Sequence, residues 1–106
     1  FELDPTPRKW TGGIYEEGRR GWLAPLTGKT EAQDAYKLGE WNRVRIECVG
    51  DQLRTFVNDV PCAELVDNWT SEGFIGLQVH GVGNRQEPME IRWRNLRIKE
   101  LPATDL

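Results

Sequence analysis

The chain lacks any apolar run approaching the ~18 residues that a membrane-spanning helix requires. It also lacks an excess of positive charge: 14 Lys and Arg stand against 17 Asp and Glu, a formal net charge of −3. A nucleic-acid-binding domain is usually basic, so that class is disfavoured. Histidine is nearly absent, with His80 the single one, and there are only two cysteines, Cys48 and Cys62. Their spacing matches no zinc or redox motif. Cys48 falls in an apolar strand pattern and reads as a small buried hydrophobe; a disulfide with Cys62 needs hairpin register to place the two opposite each other. There is no G-x-S-x-G elbow and no phosphate-binding glycine loop. Internal repeats, low-complexity segments and a signal peptide are also missing. The chain opens at Phe1, inside a strand-like run and without Met, so the lack of a leader is no argument for the cytoplasm.

Long helical periodicity is scarce as well. The chain instead carries a series of short strand-like runs punctuated by Gly, Pro, Asn and Asp. Phe1 to Asp4 reads as a strand end stopped by Pro5 and Pro7, Thr11 to Glu16 as a short strand, and Glu17 to Thr30 as a loop. Glu31 to Leu38 suggests one helical turn. The strongest signal is Trp41 to Val49, where Asn42, Val44, Ile46 and Cys48 alternate with Arg43, Arg45 and Glu47, the pattern of a half-buried strand. Gly50-Asp51 predicts a turn, Leu53 to Val57 the returning strand, and Asn58-Asp59 a second turn. Pro61 restricts the next segment to a sheet edge or loop. Phe74 to His80 and Glu90 to Leu101 read as two further strands, and Pro102 to Leu106 as a frayed tail. Trp41 and Trp93 read as buried; Trp10 and Trp69 lie beside turns. The 106 residues suffice for one domain, of all-β, antiparallel β-sandwich class. Five or six short strands are few for two covering sheets, so the expectation is a C-terminal portion of a larger domain, with apolar surface and strand edges exposed and free to associate.

The order of segments resembles the 3-keto-disaccharide hydrolase family. The resemblance rests on FELDP, RKWTGGIYEEGRRGWL, GEWNRVRIECVGDQLRTFVNDVP, EGFIGLQVHG and IRWRNLRIKEL, which together span most of residues 1–101. The G-E-W-N start, the L-Q-x-H-G end and the R-N-L-x-I-K-E-L terminus are specific in combination. The resemblance implies a concanavalin A-like jelly roll, export to the periplasm or outside a bacterial cell, and cleavage of glycosides whose sugar carries a ketone at carbon 3.

Against that expectation, particular residues stand out. Glu2 and Asp4 are two apart in an extended run, hence on one face; they suit acid–base work or hard-oxygen ligation of a divalent cation, or are simply a solvated edge. His80 ends a strand-like run with Gln78 on the same face, and an imidazole exchanges protons near neutral pH. In TGGIYEEGRRGW, Gly12 and Gly13 permit close backbone approach. Tyr15 and Trp22 suit stacking on a pyranose, and Glu16, Arg19 and Arg20 suit hydrogen bonds to its oxygens. The plain alternative for this stretch is a flexible charged loop around a core aromatic. Arg92 and Arg94 share a face of the last segment, facing a cleft or answering Glu90 and Glu47. The expected chemistry takes His80 first, then Glu2 or Asp4, as base at carbon 2, with Arg19, Arg20 or a bound cation stabilising the enolate. A non-catalytic, lectin-like saccharide module is the competing expectation, and an interaction domain appended to an enzyme a third.

Overall fold

A computed structural model describes residues 1–81, 83, 84, 86, 87 and 89–102. Six elements run in order: β1 (Ile14–Glu16), β2 (Gly21–Ala24), α1 (Thr30–Ala35), β3 (Val44–Val49), β4 (Gln52–Val57) and β5 (Val60–Val66). They form two antiparallel sheets, β1-β2 and β3-β4-β5, the architecture of a small antiparallel β-sandwich. Among the described residues, no helix is long and apolar enough to cross a membrane.

Turn chemistry sets the three-stranded sheet. Val49 faces Gln52 across Gly50-Asp51, where Gly50 takes a positive φ of 60°. Val57 faces Val60 across Asn58-Asp59. Both of these turn residues have positive φ, 49° and 66°, the twist that a two-residue hairpin prefers and that Asn tolerates. Asn58 also staples its surroundings. Its amide nitrogen donates to the carbonyl of Ala35 at 2.7 Å and to Asn42 Oδ1 at 2.9 Å, and its Oδ1 accepts from the Arg43 amide. Asn42, the last letter of the G-E-W-N start, donates to the carbonyls of Lys37 and Glu40. That motif therefore closes the loop between α1 and β3. β5 lies at the sheet edge and accommodates Pro61, as expected of a residue that cannot donate to a ladder.

The core lies between the sheets and under α1. Leu26 and Val57 are fully buried, with Ala32, Ala35, Cys62 and Ala63 around them. Ala32 and Ala35, three apart, are the face the short helix buries. Buried Thr55 joins the layers. Its hydroxyl donates to the carbonyl of Gly12 at 2.5 Å and accepts from the amide of Ala63 at 2.9 Å, where the β4–β5 register shifts. Gly12 has φ 97°, and a Cβ there would sit 3.0 Å from Cys62 Cβ, so only glycine fits.

Several expectations are corrected. Thr11 to Glu16 shortens to β1 because Gly12 and Gly13 bond instead to the backbone of Glu2, at 2.9 Å in each direction. The Glu17 to Thr30 loop contains β2. Phe74 to His80 and Glu90 to Leu101 join no ladder. Their alternation is intact but, among the described residues, no neighbouring strand supplies hydrogen bonds, and Phe74, Ile75, Val79 and Ile98 stay exposed. Cys48 is exposed and Trp41 half-exposed, because the core covers β4 and β5 and leaves the Val44, Ile46, Cys48 row of β3 open. Trp41 is instead met by the Arg94 guanidinium at 4.0 Å. Trp93 is half-buried, next to exposed Ile91. Both cysteines are free. Of the expected frayed tail, residues 103–106 lie outside the described residues.

Candidate functional site

Two clusters form around the β1–β2 hairpin. The first begins at Asp4, whose side chain is 2% exposed. One carboxylate oxygen accepts from the Thr6 amide and hydroxyl (3.1 and 2.6 Å), and the other from Arg8 Nε and the Trp10 amide (2.8 and 3.2 Å). Burial pushes this carboxyl up, but the Thr6 and Arg8 hydrogen bonds outweigh it and hold the group below the usual carboxylate range. Asp4 organises a Pro-rich turn in this way. It directs the Arg8 guanidinium over Trp10 at 4.6 Å and Trp22 at 5.1 Å.

Trp22 stands edge-on to Trp10 (4.8 Å) and tilted against Tyr15 (5.1 Å), its cross-strand partner. Its ring lies against Gly13, where a Cβ would come within 2.9 Å of Cζ3. The paired glycines thus admit the protein's own side chains, Cys62 and Trp22, rather than a ligand. Tyr15 remains 41% exposed at the outer end of the aromatic row.

The second cluster is ionic. Arg20 donates to Glu16 from Nε and from one terminal nitrogen, and clamps Asp67 through two bonds of 3.0 and 2.9 Å. Arg20 therefore ties the hairpin turn to the chain just beyond β5. Its hydrogen bonds hold the carboxyls of Glu16 and Asp67 below their ordinary values, and the guanidinium is raised in return. Arg19 Nε lies 2.7 Å from Glu16 Oε1, but that oxygen receives no aligned hydrogen bond. Trp69 covers the pair, with Arg20 at 4.0 Å and Arg19 at 5.2 Å from its ring.

Gln78 donates to Glu17 at 3.0 Å, which brings the 74–80 segment against the same turn. His80 is exposed, with Nδ1 3.2 Å from the carbonyl of its neighbour Gly81. Tyr15, Glu16, Arg19, Arg20 and Trp22 are thus gathered on one hairpin, with Gln78 beside them. Among the described residues, no hydrogen bond or ion pair joins His80 to Glu2 or Asp4. Arg92 pairs with Glu90, while Glu47 is held by Arg54 and Arg45.

A divalent cation does not fit Glu2 and Asp4. Both Asp4 oxygens already accept two donors each, and among the described residues no group of three His, Cys, Asp or Glu gathers around a common point.

The sequence profile of the 3-keto-alpha-glucoside-1,2-lyase-like domain matches residues 2–99. The chain belongs to this family. No curated protein matches it. Two residues of these clusters, Arg8 and Asp67, are singled out by no sequence pattern. Arg8 stands four after a carboxylate in a proline-broken turn, where that spacing has no helical meaning. Asp67 meets Arg20 from 47 residues away, and no local pattern announces such a pair.

Proposed function

We propose that this domain acts on glycosides bearing a ketone at carbon 3, eliminating the aglycone and hydrating the product. Family membership supports the substrate class. The observation that carries the chemistry is the exposed imidazole of His80, two residues beyond Gln78, which bonds to Glu17 on the hairpin turn. The imidazole removes the proton at carbon 2, which the adjacent ketone acidifies, and an enolate forms. The ketone then re-forms as the carbon 1–carbon 2 double bond forms and the bond from carbon 1 to the aglycone oxygen breaks. The imidazolium gives its proton to the departing oxygen, so the aglycone leaves as an alcohol and the imidazole is neutral again. Water adds hydroxyl to carbon 1 and hydrogen to carbon 2, so the net result is hydrolysis.

A cation supplies the charge that stabilises the enolate oxygen. Arg20 has Glu16 and Asp67 as fixed partners, so Arg19, 56% exposed, is the hairpin arginine with room to turn toward a ligand. Asp4 is held within its turn, which leaves Glu2 as the second carboxylate of this reading. We extend the reading to a periplasmic or extracellular setting, following the family resemblance. A non-catalytic saccharide module is the second reading, favoured by the exposed Tyr15 at the end of the aromatic row.

Proton NMR in D2O separates the two. Elimination predicts deuterium at carbon 2 of the product from a 3-keto glucoside and no cleavage of the unoxidised glucoside. Binding of either sugar without deuterium incorporation or cleavage would leave the module.

A further inference from the structure

A third cation, outside the Arg19 and Arg20 pair, stands beside the hairpin's aromatic row. Arg8 carries a side chain that is 45% exposed, yet it is held at three points. Its Nε donates to buried Asp4 at 2.8 Å, and its guanidinium carbon lies over the rings of Trp10 and Trp22. The Trp22 ring is itself fixed by Gly13 and by its strand pairing through Tyr15. Among the described residues, the two terminal Nη groups of Arg8 make no hydrogen bond. A guanidinium stays charged at any physiological pH, so these are permanent donors aimed from a held position.

We propose that Arg8 is the polar anchor of a saccharide subsite. Its Nη fork donates to two neighbouring exocyclic oxygens of the sugar, while the exposed Tyr15 ring packs against the sugar's C–H face. A planar fork suits two vicinal acceptors. The edge of a 3-keto pyranose presents such a pair, the ketone oxygen and an adjacent hydroxyl. Because Asp4 and two indoles already restrict the arginine, little side-chain freedom remains to be lost on binding. The identity of the sugar rests on the reading above; the role of Arg8 rests on the geometry.

The test uses the 106-residue chain and methyl 3-keto-α-glucopyranoside, titrated by tryptophan fluorescence. Arg8→Gln weakens binding at least tenfold with an unchanged circular dichroism spectrum. In the wild-type chain, Arg8 side-chain NMR signals shift as sugar is added. Binding within twofold of wild type in folded Arg8→Gln would overturn the proposal. So would Arg8 signals that do not move at saturating sugar, a readout that holds even where the variant does not fold. Arg8-dependent binding without turnover would uphold the subsite and remove the lyase reading.

Discussion

Residues 1–66 and the described residues of 70–102 carry the same kind of alternating apolar pattern and meet opposite fates. In the first region, Val57 pairs with Val44 and Val60 and disappears into the core. In the second, Ile75, Leu77 and Val79 alternate as regularly and remain exposed. Alternation decides which side chains share a face, but a strand exists only where a neighbour completes its ladder. The first region finds neighbours through two-residue turns. The second touches it through Gln78 on Glu17 and Arg94 on Trp41.

A graded set of substitutions sharpens this contrast. Leu26→Ala, at a fully buried position, is expected to cost about 2–5 kcal/mol in denaturant unfolding. Thr55→Val strands the Gly12 carbonyl and the Ala63 amide that the hydroxyl joins, at about 1–3 kcal/mol. Ile98→Ala, at a position 80% exposed, should change stability by no more than about 0.5 kcal/mol. A cost for Ile98→Ala comparable to that of Leu26→Ala would break the contrast, since it would mean that the second region is packed.

Acid acts more gently, on carboxyls of the first region and on Asp67 just beyond it. The carboxyls of Asp4, Glu16 and Asp67 all titrate below their ordinary values. The unfolded chain therefore binds protons more readily than the folded one. The stability these groups contribute is present above the unfolded carboxylate value of about 4 and is lost as pH falls through the lower folded values. Melting temperature should decline below about pH 4. Asp4→Asn should start lower at neutral pH and decline less steeply in acid; parallel curves would show that Asp4 contributes nothing to the slope.

β3 and β4 and both turns of the three-stranded sheet were legible because Gly50-Asp51 and Asn58-Asp59 are local events, whereas Pro61 left the segment that forms β5 open between a sheet edge and a loop. The small helix was legible in place, and its two alanines show why it buries a face. β2 was not, since Gly21–Ala24 is four residues long and begins directly after a charged turn. At the site, Tyr15, Trp22, Glu16 and Arg20 were legible as one segment, and the structure places them on one hairpin. Their division of labour was hidden. Arg20 is engaged by Asp67, and Arg8 is aimed by Asp4, because such partnerships arise only once the chain has folded. Gly12 and Gly13 suggested room for a ligand, but the space they leave is filled from within.

The two regions also divide the proposed chemistry, since the packed one holds the sugar and the unpaired one carries the proton-accepting imidazole. Turnover of a chromogenic 3-keto glucoside by the wild-type chain and by His80→Gln tests that division most directly. The account predicts release by the wild type from the keto sugar alone, and its loss in His80→Gln with sugar binding and melting temperature unchanged. Equal release by the two chains would contradict it.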